Sequence, residues 1–214
     1  MRRIGDTAIT AVTVAALGSG VWLLGSGYGT HAPPQPSAVE GRPDPAEERL
    51  ASPALAASPP TRIRIPAIRV NAPLMGLGLT SSGSLDVPPA GNKNLAGWYE
   101  AGTSPGERGT AIVAGHVDNV EGPAVFYDLG ALRRGATIEI ARQDESVAVF
   151  TVDAVEVYSA RNFPDEKVYG AAKRPELRVI TCGGGYSKTT GYQGNVVVFA
   201  HLTGSRRGAD SGES

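Results

Sequence analysis

R-V-I-T-C-G-G-G-Y-S-K-T-T-G-Y-Q-G-N-V-V-V-F-A-H-L, residues Arg178 to Leu202, is the stretch whose reading decides the fold. Two β-branched apolar runs flank a segment of Gly, Ser and Thr. Runs bounded in this way predict two strands joined by a loop. Cys182, the only cysteine in the chain, ends the first run. A thiol at a strand end is held by the sheet on one side and open to a ligand on the other, which suits a nucleophile. The position equally suits a small core residue, because free Cys is among the most buried residue types.

Upstream of this stretch the same pattern repeats. Thr61 to Pro66 alternates polar and apolar, as a half-buried strand does. Leu74 to Leu79 is a weaker strand, and Ser82 to Pro89 holds a turn before two prolines. Thr110 to His116 is a short buried strand ending at a histidine. Thr137 to Ala141 and Ser146 to Tyr158 pair through the turn Arg142 to Glu145, and Pro123 to Leu132 holds a short helical turn. Many short strands, abundant turn residues and no long amphipathic helix predict a mainly β domain, a closed barrel or a sandwich, over residues 61–204. Residues 205–214 read as a disordered tail.

Residues 1–60 read differently. Arg2 and Arg3 precede an uncharged run, Thr7 to Gly25. About 18 helical residues span roughly 27 Å, close to a bilayer core. Residues 1–27 therefore read as a cytoplasmic tip and a single transmembrane anchor, with the rest of the chain exported. A cleaved signal peptide is the rival, though no clear A-x-A site follows Leu24. Residues 28–60 are rich in Pro, Ala, Ser and Glu, and bury too little to offset their ordering entropy. They read as a disordered tether, with a short helix over Ala46 to Ala57. A chain beginning near Ala57 is expected to keep the fold. The net charge of -1 offers no electrostatic footprint for nucleic acid.

Three histidines occur. His31 lies in the tether and His201 near the chain end. His116 ends a strand as Cys182 does, and an imidazole beside a thiol takes its proton or stabilises its thiolate. Asp118, two residues on, either orients that ring or simply forms a turn. One Cys and one well-placed His leave too few ligands for a metal site.

V-I-T-C-G-G, with A-G-H-V-D at Ala114 to Asp118, resembles the sortase family. The likeness extends over G-W-Y at Gly97 to Tyr99, P-G-E-R-G-T-A at Pro105 to Ala111 and G-P-A-V-F-Y-D-L at Gly122 to Leu129. It also takes in F-P-D-E-K-V-Y-G at Phe163 to Gly170 and N-V-V-V-F-A at Asn195 to Ala200. Together these resemble the class F sortases of actinobacteria. The resemblance implies a closed eight-stranded β-barrel behind a membrane anchor, with the catalytic domain on the extracytoplasmic side. It implies Cys182 as nucleophile and His116 as general acid/base. The substrate is then a peptide or surface protein carrying a sorting signal, and the acceptor an amine of cell-wall or pilin type, or water. No cofactor is needed. The family's third catalytic residue is an arginine on the strand after the cysteine, and no arginine lies between Cys182 and Leu202. Gln193 and Asn195 stand where it is sought, on one face under strand alternation. That loss also leaves open a non-catalytic surface module that binds a peptide or wall component.

Overall fold

The computed structural model describes residues 32–37, 52–187, 189 and 191–207. Ten strands form: β1 (Pro60–Ile65), β2 (Val70–Leu77), β3 (Ala96–Tyr99), β4 (Gly109–Gly115), β5 (Asp118–Asn119), β6 (Gly122–Pro123), β7 (Thr137–Arg142), β8 (Ser146–Ser159), β9 (Pro175–Ser187) and β10 (Gly191–Arg207). Eight of them close into a barrel in the order β1-β2-β3-β4-β9-β10-β8-β7, with β7 pairing back onto β1. The remaining two, β5 and β6, make a small ribbon. One short helix, α1 (Asp165–Tyr169), and three 3₁₀ turns complete the described elements.

Side-chain alternation explains both faces of the wall. On β9, Leu177 and Val179 are fully buried in the interior with Ile63, Ile65, Val113, Phe150 and Val198. Their sequence neighbours Arg178 and Ile180 point outward. There Ile180 joins Ile112, Ala154, Val168, Val197 and Phe199 in a second apolar cluster, covered in part by Val168 of α1. The barrel thus has an apolar outer strip as well as an apolar core, and β4, β9 and β10 contribute to both. This explains why their sequences read as continuous apolar runs instead of clean alternations.

Several expectations change in detail. The Gly-rich segment after Cys182 continues the ladder, with Gly191 opposite Ser187 and Tyr192 opposite Tyr186. Gly184 (φ 76°) occupies the left-handed region beside a register shift there, a conformation open to glycine at little cost. β10 runs to Arg207, so Ser205, Arg206 and Arg207 pair with Ala148, Val147 and Ser146 and are not tail. The strand β3 and the helix α1 were not anticipated as elements. Ser52 to Ala57 is not helical. Pro53 disfavours a helix, and the backbone N–H groups of Ser52 and Leu55 donate to Leu202 O and Gly106 O across the barrel, both at 2.9 Å. The expected transmembrane helix lies outside the described residues. Among the described residues no helix is long and apolar enough to cross a membrane.

Two parts of the expected tether touch the barrel. At residues 32–37, the Pro34 carbonyl lies over Gly130, where an added Cβ would sit 2.0 Å from its oxygen. Ser52 to Pro59 packs more extensively. Leu55 rests on the core, the buried Arg142 guanidinium donates to Ala56 O, and Ser58 Oγ accepts from Asp144 N. Domain packing therefore begins near Ser52 and not at Thr61. A chain starting at residue 58 is expected to be less stable than one starting at residue 51. It loses two cross-barrel hydrogen bonds, the Leu55 contact and one partner of a buried cation, roughly 2–3 kcal/mol in all. For a domain of this size that is a melting temperature lower by about 5–10 °C. Equal melting temperatures in a calorimeter would show that this segment contributes nothing.

Candidate active site

The site forms where β4 ends and its parallel pairing with β9 stops, while β9 runs on to Ser187 against β10. Ala114 is level with Ile180 in the ladder. Thr181 Oγ1 donates to Gly115 O at 2.8 Å, which locks that register one step further on. The next pair in sequence is His116 and Cys182, so the end of β4 brings the histidine level with the cysteine on β9. Both follow outward-facing residues, Ala114 and Ile180, by two positions, and both are partly exposed. The thiol thus lies on the outer wall, at the end of the apolar strip of Ile112, Ile180 and Val197.

Antiparallel β10 supplies the other flank. Asn195 stands directly opposite Cys182, and Val197 opposite Ile180. Residues paired in this way share a face, with Cβ atoms about 4.5–5.5 Å apart. The Asn195 side chain is buried, 8% exposed, and no hydrogen bond ties it to any described residue. Gln193 is placed differently. It is exposed and lies beside the register shift between Tyr192 and Gly194, so the alternation that would align it with Asn195 is broken. The two candidates for the missing arginine's place are therefore distinct: one is buried against the thiol, the other faces solvent.

The histidine is oriented by backbone. His116 Nε2 lies 2.7 Å from Pro88 O. A carbonyl only accepts, so Nε2 carries the proton and Nδ1 is the basic nitrogen of the neutral ring. The same loop receives Asn119 Nδ2 on Ala90 O at 2.9 Å, which pins the segment after the histidine. The Asp118 carboxylate goes to Tyr192, whose hydroxyl donates to Oδ2 at 2.5 Å, and not to the His116 ring. Pro88 and Tyr192 carry no sequence signal of their own. Tyr192 is legible only once the hairpin is known to fold back beside β5.

Two other residues are excluded from the site. His201 is buried and gives Nδ1 to Asp153 at 2.5 Å. It lies six positions along β10 from Asn195, about 20 Å away. Arg178 shares the outer face of β9 but is committed to Glu176 at 2.6 Å, with its guanidinium 4.6 Å from the Phe199 ring centre. It does not substitute for the arginine absent after Cys182. Among the described residues no cluster of three or more His, Cys, Asp or Glu could hold a metal ion.

The electrostatics keep the resting thiol protonated. Burial pushes the Cys182 thiol up, and the Asp118 charge pushes it further the same way. Alkylation of Cys182 by iodoacetamide is therefore expected to keep accelerating with pH beyond the range of an ordinary thiol. Asp118→Asn removes one of the two causes, so its alkylation curve should move to lower pH. An unchanged curve in that variant would mean the carboxylate does not act on the sulfur.

A thiol, an imidazole with a defined basic nitrogen and a buried amide, together on the wall of a closed barrel, have the parts of a cysteine acyl-transfer site. A sortase-domain profile matches residues 63–203, nearly the whole barrel, and the chain belongs to the sortase family of cysteine transpeptidases. Solved sortases share the fold. Sortase A of Listeria monocytogenes superposes with a TM-score of 0.54 at 18% identity, covering 72% of this chain and 93% of that one. A sortase of Actinomyces oris gives 0.52 at 18%, covering 73% and 88%. Sortase A of Corynebacterium diphtheriae gives 0.51 at 20%, covering 74% of this chain and 65% of that longer one. No curated protein matches the chain in sequence.

Proposed function

We propose that this transpeptidase is a class F sortase, held at the cell membrane by residues 1–27 with its barrel on the extracytoplasmic side. Cys182 is its nucleophile and His116 its general acid/base. It cleaves a sorting-signal peptide and passes the acyl fragment to an amine or to water. The observation that carries this reading is the placement of the chain's only thiol on β9, level with the histidine that follows the end of β4. The apolar strip of Ile112, Ile180 and Val197 below the thiol suits an extended peptide with an apolar side chain.

The chemistry runs in two halves. Cys182 attacks the scissile carbonyl while its proton moves to His116 Nδ1. The Nε2–H bond to Pro88 O steadies the imidazolium that results. The ring then protonates the departing amine, leaving a thioester. Asn195, cross-strand from Cys182, donates to the oxyanion in the arginine's stead. An amine or water resolves the thioester and frees the thiol.

The test incubates the barrel with a pool of C-terminal peptides from surface proteins of the same cell, then reads intact mass. The expected result is a covalent acyl adduct on Cys182 with release of the C-terminal fragment, absent in Cys182→Ala. Capture by peptide vinyl sulfones should depend on His116. No adduct with any peptide, and no capture, would leave a sortase fold that only binds.

A further inference from the structure

Asp118 stands out among the charged groups at the site because it works against the nucleophile. It lies on β5, two residues beyond His116, and its negative charge disfavours the Cys182 thiolate. It is held in place all the same. Tyr192 from β10 donates to Oδ2 at 2.5 Å, the β5–β6 ribbon pairs Asp118 with Pro123, and Asn119 is tied to Ala90 O. Its second oxygen, Oδ1, has no hydrogen-bond partner among the described residues, and no described cation pairs with the carboxylate. The group is partly exposed. A fixed anion with one open oxygen is thus held beside a thiol that it makes less reactive.

The penalty bears on the free thiolate. In the acyl-enzyme the sulfur is an uncharged thioester, so the carboxylate does not oppose that state. The reactant that then arrives is an amine, which at neutral pH is a primary ammonium ion. An ammonium donates three hydrogen bonds and is drawn to a carboxylate at close range.

We propose that Asp118, braced by Tyr192, is the docking point for the cationic primary amine that resolves the acyl-enzyme. This assignment rests on the peptidyl-transfer reading above. The ammonium seats on Oδ1 and gives one proton to the neutral His116 imidazole. The free amine attacks the thioester carbonyl. A C–N bond forms and the C–S bond breaks, and the second proton passes from nitrogen to the departing Cys182 sulfur. The proton on the imidazolium then leaves to solvent, restoring the neutral pair. Water, being uncharged, gains nothing from the carboxylate, so Asp118 favours aminolysis over hydrolysis.

The experiment acylates Cys182 with a peptidyl thioester, which bypasses the unknown sorting motif. It then partitions the acyl-enzyme among water, glycinamide and hydroxylamine at neutral pH. Glycinamide is a partly cationic primary amine, and hydroxylamine is largely uncharged there. Asp118→Asn is expected to lower glycinamide capture relative to hydroxylamine capture by roughly tenfold or more, the size of one charge-assisted hydrogen bond. Asp118→Glu should recover part of the preference. In the wild-type protein, added salt should weaken the apparent affinity for glycinamide and leave that for hydroxylamine in place, a result that needs no variant to fold. Equal losses for both nucleophiles in Asp118→Asn, or wild-type capture of glycinamide that salt does not affect, would overturn the assignment alone. Failure of the wild-type protein to form any acyl-enzyme would overturn the peptidyl-transfer reading as well.

Discussion

His116→Ala is expected to slow thioacyl formation at Cys182 by about two to four orders of magnitude, the usual contribution of a positioned acid/base group. The size follows from the state of the thiol. Burial and Asp118 both hold Cys182 protonated, so a standing thiolate population cannot stand in for the base. The proton has to leave as the sulfur attacks, and it needs an acceptor within reach. In the proposed mechanism His116 Nδ1 is that acceptor, since Nε2 is spent on Pro88 O. Raising the pH should rescue the alanine variant in part, because hydroxide then removes the proton that the ring no longer takes. Wild-type and variant rates are therefore expected to converge in alkali. Single-turnover mass spectrometry with a peptidyl thioester and with a peptide substrate separates two roles. An activated leaving group needs no protonation, so the loss with the thioester should be smaller than with the peptide. Equal losses with both would confine His116 to thiol activation. Full activity in His116→Ala would remove it from the mechanism.

The sequence was most legible where one residue type repeats at strand spacing. The runs Arg178–Cys182 and Asn195–Leu202 predicted adjacent strands, and these form the β9–β10 pair with Asn195 opposite Cys182. Closure of eight strands came only from the resemblance, because alternation alone cannot separate a barrel from a sandwich. β3 went unseen as a strand because A-G-W-Y is four residues long and carries no period. The tether boundary was misjudged because Ser52 to Pro59 binds through backbone and small side chains, with Leu55 its one bulky contact. Composition reports what a segment can bury for itself, not which carbonyls wait for it elsewhere. The bond from His116 to Pro88 O was invisible for a related reason, since a carbonyl acceptor has no residue signature. Gln193 and Asn195 looked equivalent because alternation was carried through a glycine segment where the register in fact shifts.

Asn195 is the position where a second large effect is expected. Asn195→Ala should lower the rate of acylation by about 10²–10³, as removal of one oxyanion donor does in other acyl-transfer sites. Three features support that size. The residue is directly cross-strand from Cys182, its side chain is buried, and its amide is not hydrogen-bonded to any described residue. The residue keeps 8% exposure and its amide is not one of the buried polar atoms left without a partner, so the amide still reaches water or a ligand. The structural contribution of Asn195 in the resting protein should therefore be small, and the alanine variant should melt near the wild-type temperature. Loss of rate without loss of stability is the signature that separates a transition-state donor from a packing residue. Gln193→Ala, exposed beside the register shift, should change the rate less than about twofold. Asn195→Arg puts the family's charged donor at the same place. Charge-assisted hydrogen bonds are roughly twice as strong as neutral ones, so acylation should quicken if the longer side chain fits between Tyr158 and the thiol. A guanidinium there would also offset Asp118 and lower the Cys182 pKa, which iodoacetamide alkylation would report independently. An Asn195→Ala enzyme as fast as the wild type, with Gln193→Ala slow, would reverse the assignment and place the donor on the exposed side of the hairpin.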